Sequence, residues 1–258
     1  MEKNVFSLDD ISQSPSPFQA TVLAMKRSLI EYIAIPDEAL VIASYSDGSP
    51  IDYAAPYFMN PQKRSKFLSA WNQTKLGTRK SNKPAGFIIV MNFFGPDMVF
   101  YSHALACVKM PNKEEYFLFD PNGDHSGGSV YSSPSFNEFT QVDKIANPLY
   151  RVVLYYMKEK MGIASKNVNM FSGGMIPCPY IAGSCIYRAY AFILAFVIAH
   201  NDFTRAVDIT FYISTNKDLI MAVMGFSKNY NFKKLLQTTL NRLPPPPQPP
   251  HTQSPHQK

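Results

Sequence analysis

The segment Ile186 to His200, IYRAYAFILAFVIAH, is apolar on almost every side. A helix without a polar face must be buried. Its longest apolar run, Ala189 to Ala199, is too short to span a bilayer, so protein rather than lipid has to cover it. The chain can supply that cover. With 258 residues, 46% of them hydrophobic, it can build one substantial core. The expected organisation is a loosely held N-terminus (1–16), one compact domain (17–243) and a tail (244–258).

Gly183-Ser184-Cys185 leads directly into this segment. A thiol in the first turn of a helix lies at the positive end of the dipole, which favours thiolate. A second feature lies upstream. Met98 to Met110, MVFYSHALACVKM, is rich in β-formers, and Pro111 to Glu115 is turn-like. Tyr116 to Phe119 forms a second strand that ends at Asp120, where Pro121-Asn122-Gly123 breaks the chain. A hairpin sets its strands side by side, so His103 and Asp120 are candidates to meet across it. A carboxylate beside an imidazole fixes its tautomer and stabilises its charged form.

Taken singly, each residue has a plainer reading. His103 fits a structural histidine, Asp120 a turn cap, and Cys185 a small buried apolar residue. Their order and settings agree on one nucleophilic triad of His103, Asp120 and Cys185. The internal rivals are weaker. Asp124 and His125 are loop neighbours whose side chains point apart. Cys107 is at an even offset from His103 on the same strand, as a core or supporting residue would be. Cys178 and Cys185 form a Cys-x6-Cys pair with no nearby histidine, which is poor zinc spacing, so no metal is expected.

The segments HALACVKMPNKEEYFLFDPNG and GSCIYRAYAFILAF resemble the His-to-acid hairpin and the Cys helix of the adenovirus maturation proteases (adenain). These belong to a clan that includes the SUMO-specific proteases. The resemblance covers roughly Gly86 to His200. It implies an α+β fold with a central mixed sheet and a buried nucleophile helix. It also implies a cysteine endopeptidase that processes viral capsid or core precursors, inside the host cell (nucleus or cytoplasm) and in the virion. Other activities fit the same motif: a ubiquitin- or SUMO-like isopeptidase, an effector-type acetyltransferase, or an inactive relative that binds nucleic acid. Two departures stand out. Members of the family commonly carry a Gln shortly before the Cys as an oxyanion donor, whereas here no Gln occurs between Gln141 and Gln237. Ala104 follows the His where the family usually has tryptophan.

Elsewhere, Ser16-Pro17 has the form of a helix start. Phe18 to Ile35 carries apolar residues at Val22, Met25, Leu29, Ile30 and Ile33, an amphipathic helix ended by Pro36. Ala39 to Tyr45 is expected as a strand, and Gly86 to Phe94, GFIIVMNFF, as a strand buried on both faces. Gly123 to Gly128 is expected to line the substrate groove. Phe136 to Ile145 is expected as a weak helix, Pro148 to Met157 as a strand, and Lys158 to Gly174 as a polar connection. Phe203 to Ser214, Asp218 to Gly225 and Phe232 to Leu240 are helical or mixed.

Net charge is +6 and the pI about 9.1. Seven cations and no acid occur from Lys63 to Lys83. Lys63, Arg64, Lys66, Arg79, Lys80 and Lys83 are candidates for a polyanion face. The alternative is a solvated helix anchored by Trp71. The resemblance adds DNA, or a peptide, as an activator, with no cofactor needed for the chemistry. Three cysteines are too few and too odd in number for a disulfide scaffold, so a reducing compartment is expected. With its longest apolar run too short to span a bilayer, no membrane is expected as a partner. The tail LPPPPQPPHTQSPHQK cannot pack a core and is either a solubilising tail or a docking peptide for a proline-binding partner.

Overall fold

The computed structural model describes residues 22–45 (apart from 24 and 28), 61–94, 100–123, 139–141, 148–225 and 241. Six strands form one mixed sheet: β1 (Leu40–Tyr45), β2 (Ala85–Phe94), β3 (Phe100–Lys109), β4 (Tyr116–Phe119), β5 (Phe139–Gln141) and β6 (Val168–Phe171). Their order is β1-β2-β3-β4-β6-β5. β1 runs parallel to β2, and β4 parallel to β6; the remaining neighbours are antiparallel. A first helix ends at residue 29, and five further α-helices follow among the described residues: α1 (Pro61–Ser81), α2 (Pro148–Met161), α3 (Cys185–Ile198), α4 (Phe203–Thr215) and α5 (Lys217–Gly225).

The alternation of strand side chains divides the core in two. Ile88, Val90, Ala104, Ala106, Val108, Phe117 and Phe119 point to one face, where α3 lies, backed by α4 and α5. Phe87, Ile89, Met91, Leu105, Cys107, Tyr116 and Leu118 point to the other, covered by α1 and α2. β2 and β3 are therefore apolar on both faces because both are covered. α3 is apolar all round because it is enclosed: from Ala189 to Phe196 every residue is buried. Phe192 stacks on Phe119 of β4 with ring centroids 4.2 Å apart. The fold is α+β, with a central mixed sheet and a buried helix opened by Cys185.

Some local expectations are corrected. Pro148–Met161 is a helix, not a strand. Its aromatic and β-branched composition suggests β, but Tyr150, Val153 and Met157 are buried at helical spacing, and that periodicity prevails. The strand lies later, at Val168–Phe171, inside the stretch expected to be a polar connection. Val168, Met170 and Phe171 are buried there, and the polar neighbours Lys166, Asn167 and Asn169 mask the signal. Within Phe136 to Ile145, the described residues Phe139–Gln141 are a strand, paired antiparallel with β6. The first helix stops at residue 29 rather than at Pro36, and Ile30 is exposed. The chain then runs along the start of β2, where the Gly86 N–H donates to the Ala34 carbonyl. Residues 203–215 and 217–225 are helical. The start at Ser16-Pro17, residues 232–240 and the tail lie outside the described residues.

α1 is held by its buried side chains. Phe67 and Trp71 are fully buried, and Trp71 meets the Phe87 ring edge-on at 4.7 Å. Asn82 (φ 51°) then turns the chain out of the helix. The Trp71 Nε1 has no hydrogen-bond partner among the described residues. Trp71→Ala is expected to cost about 3–5 kcal/mol through the cavity it leaves. Trp71→Phe, which removes an unpaired buried donor, should cost less than half as much. Denaturant unfolding of the two variants measures this; equal losses would mean that the indole N–H is satisfied in solution.

Candidate active site

β3 is longer than its partner. Its pairing with β4 runs from Lys109↔Tyr116 to Ala106↔Phe119 and stops there. β3 continues towards Phe100 with β2 still beside it, but without β4. The candidate site occupies this gap: the loop after β4 descends into it from one side, and the start of α3 enters from the other.

His103 and Asp120 meet in the gap. The His103 Nε2 lies 2.7 Å from Asp120 Oδ1. His103 is 8% exposed and Asp120 1%. The carboxylate is well supplied with donors. Its Oδ1 also accepts the Asn122 N–H at 2.7 Å, and its Oδ2 lies 2.9 Å from the Tyr150 hydroxyl. That hydroxyl also reaches the Gly123 carbonyl at 3.1 Å. Burial alone would raise the Asp120 pKa, but the His103 charge and hydrogen bond, with the Asn122 and Tyr150 donors, hold it below its ordinary value. Burial would also lower the His103 pKa. The Asp120 charge and hydrogen bond, and the contact with Cys185, outweigh that and push it up to about 10.

Cys185 is the first residue of α3. Burial would raise its pKa, but a hydrogen bond and charge interaction with His103, and the backbone N–H groups of Ala104 and Ile186, bring it below the ordinary thiol value. Since Nε2 faces Asp120, Nδ1 is the ring atom left for the thiol. A lowered thiol pKa beside a raised imidazole pKa favours passage of the Cys185 proton to His103, the direction that activates a sulfur nucleophile. Cys107 differs: it is fully buried among apolar side chains on the far side of the sheet, and burial pushes its thiol up.

One residue here is missing from the sequence reading: Arg188, the only cation in α3. It is 7% exposed. Its Nη1 donates to the carbonyls of Pro121 (2.8 Å) and Ile176 (2.6 Å), and its Nη2 to Asn122 Oδ1 (2.8 Å). The Ile176 N–H also donates to the Pro121 carbonyl at 3.0 Å. The available signal was an arginine three residues after Cys185 in an otherwise apolar helix, because a buried cation must have partners. Gly123 was expected as a groove residue and has a structural constraint of its own. It adopts φ +67°, and a Cβ there would lie 2.3 Å from the Gly173 carbonyl oxygen. Residues 124–128, and with them Asp124 and His125, lie outside the described residues.

An open cleft of roughly 390 Å³ gives access to the thiol, with Ser102, His103, Asn122, Cys178, Cys185 and Arg188 in its walls. Cys178 shares this cleft with Cys185. Among the described residues, no group of three or more His, Cys, Asp or Glu is arranged to hold a metal. Of the candidate polyanion residues, Lys66 is exposed and Lys83 half-buried. The side chains of Lys63, Arg64, Arg79 and Lys80 are outside the described residues, although their backbones belong to α1. No described helix is long and apolar enough to cross a membrane.

No family model and no curated protein sequence matches the chain. Among solved structures, it is similar to the Legionella pneumophila effector protein RavZ. One RavZ structure has a TM-score of 0.43 at 12% identity, covering 88% of this chain and 68% of that one. A second, of residues 1–487, has a TM-score of 0.41 at 13% identity, covering 86% and 66%. This chain thus spans about two thirds of the length of the RavZ chains. At this distance the likeness carries no chemistry, which rests on the geometry of the site.

Two outcomes are expected from this geometry. Iodoacetamide should alkylate Cys185 before Cys107 or Cys178, and the reaction should persist at about pH 6, where an ordinary thiol is protonated. Peptide mapping after limited labelling checks the order, and first modification of either other cysteine would contradict it. Gly123→Ala should destabilise the protein by more than the roughly 1–2 kcal/mol of a left-handed non-glycine residue, because the backbone at Gly173 and Gly174 must also move. It should slow Cys185 alkylation as well, since the Asp120 loop shifts with it. Denaturation and labelling rates measure both.

Proposed function

We propose that this chain is a cysteine endopeptidase acting through Cys185, His103 and Asp120. The observation that carries this reading is the buried Asp120 carboxylate against His103 Nε2, with the other face of the ring turned to a thiol at a helix N-terminus. The pair does little for stability that a hydrophobic substitute could not do. It is well suited to an attack on a carbonyl. The Cys185 thiolate adds to the scissile carbonyl carbon. The His103 imidazolium then gives its proton to the departing amine, leaving a thioester that water hydrolyses with His103 as base. Asp120 orients the ring and supports its charge without becoming protonated.

The finer reading draws on the resemblance to the adenovirus maturation proteases. The substrates are then precursor polypeptides of a virus capsid or core, cleaved in the host nucleus or cytoplasm and in the virion. DNA or a peptide serves as activator, and the cations of α1 and Lys83 form the polyanion face. The chemistry itself needs no cofactor, and the proline-rich tail serves to dock a partner. Incubating the protein with capsid precursors, with a ubiquitin-like precursor ending in Gly-Gly, and with acetyl-CoA plus an acceptor protein separates the chemistries that share this triad. Cleavage of the modifier precursor alone would identify an isopeptidase, and acetyl transfer an acetyltransferase. Turnover lost in Cys185→Ala is required of all three, and turnover that survives it would overturn the assignment.

Two predictions follow from the roles assigned. Asp120→Asn should lower turnover by less than Cys185→Ser or His103→Ala does, and should move the alkaline limit of activity downward, because the imidazole loses the carboxylate that raises its pKa. The stabilisation from His103 is complete below 6.5 and is lost as pH rises towards about 10. That from Asp120 is present above 3.8 and is lost as pH falls through its lowered pKa. A pH–rate profile with an unchanged alkaline limb would remove Asp120 from the site. Replacing Arg79, Lys80 and Lys83 together by Ala should weaken DNA binding and flatten its dependence on salt. An unchanged salt slope would leave these residues as a solvated face.

A further inference from the structure

Attack on a carbonyl places negative charge on its oxygen, and a site of this kind holds that oxygen with two preorganised donors. One is the Cys185 backbone N–H, which belongs to the first turn of α3 and has no intrahelical acceptor. No Gln stands between Gln141 and Cys185 to supply the other. We propose that Asn122 Nδ2 is the second donor of the oxyanion hole, and that Arg188 is the positioning residue that aims it; this rests on the acyl-transfer reading above.

Three observations carry the assignment. Asn122 lines the cleft that exposes the Cys185 thiol. Its backbone is fixed, because its N–H donates to Asp120 Oδ1 at 2.7 Å and the next residue, Gly123, is locked in its turn. Its amide is oriented as well. Arg188 Nη2 lies 2.8 Å from the Asn122 side-chain oxygen, and a guanidinium has only donors, so the atom facing it must be the oxygen. The amide nitrogen, with two N–H groups, is then the end of the side chain that Arg188 leaves free. Arg188 stands three residues after Cys185 on one rigid helix, so the amide is tied to the body that carries the nucleophile. In the step served, the Cys185 sulfur bonds to the carbonyl carbon and the carbonyl π pair moves onto oxygen. The Cys185 N–H and Asn122 Nδ2–H hold that oxygen until the pair returns, the amine leaves, and the proton on His103 goes with it.

Two small reagents separate this role from a structural one. Iodoacetamide alkylates the thiolate by direct displacement, with no oxyanion. p-Nitrophenyl acetate acylates the same thiolate through a tetrahedral oxyanion, read as a burst of p-nitrophenolate. The ratio of the two rates cancels any change in thiolate fraction. In Asn122→Ala the ratio should fall by about 10²-fold, the order of one lost oxyanion donor. Asn122→Asp keeps the oxygen that Arg188 grips, removes the donor and adds a negative charge that repels the oxyanion; it should fold like the wild type and show at least the same fall. Arg188→Lys should lower the ratio less, because the amide stays in place but loses its aim. A ratio within about threefold of wild type in either Asn122 variant would overturn the proposal while leaving the nucleophile intact. A wild-type burst that is absent, or that persists in Cys185→Ala, would overturn the acyl-transfer reading itself, and this proposal with it.

Discussion

A guanidinium buried in the first turns of an apolar helix needs acceptors, and those that Arg188 finds for Nη1 and Nη2 fix the site, while its Nε has none among the described residues. The Arg188 partners are the carbonyls of Pro121 and Ile176 and the side-chain oxygen of Asn122. One side chain thus joins the helix that carries Cys185, the loop that carries Asp120, and the segment that follows β6. Without it, the 120–123 loop would hold to the body through His103, Tyr150 and the Ile176 N–H. Burial holds the Arg188 pKa below its ordinary value, and the acceptors around it are what allow a cation to stay there.

The electrostatics follow from that arrangement. Asp120 is almost fully buried, yet it stays ionised because an imidazolium, a backbone N–H and a phenol hydroxyl surround it. The same carboxylate keeps His103 charged well above the usual imidazole range, and the charged ring draws the Cys185 proton away. Burial alone would favour the neutral form of each group. The Asp120–His103 pair carries most of the compensation, and Cys185 adds the smaller part at His103.

The sheet explains how groups from both of its layers come together. His103 continues the alternation of Leu105 and Cys107, and Asp120 that of Leu118, all on the side of α1 and α2. Cys185 opens α3 on the opposite side. An unbroken sheet would keep these apart. β4 ends at Phe119 and leaves the edge of β3 open, so the thiol can take the Ala104 N–H and reach the imidazole past the strand. The early end of β4 comes from Asp120-Pro121-Asn122-Gly123, a sequence with one missing donor and a glycine that takes the left-handed conformation the turn requires.

The sequence by itself determined the parts whose signals are local. The all-round apolar α3, the doubly buried β2, the hairpin of β3 and β4 and its break at Asp120 are all set by composition, periodicity and turn chemistry within a few residues. The same local signals brought His103, Asp120 and Cys185 forward as one group. Tertiary structure decided the rest, for three physical reasons. In Pro148–Met161 a β-rich composition gave way to helical spacing once Tyr150, Val153 and Met157 had a sheet face to cover. Val168–Phe171 became a strand because β4 and β5 offered it partners, a long-range pairing that no local pattern records. Arg188 and Asn122 lie 66 residues apart. Only the folded chain makes the first an anchor for the second, because a buried charge selects its partners by position in space and not by position in sequence.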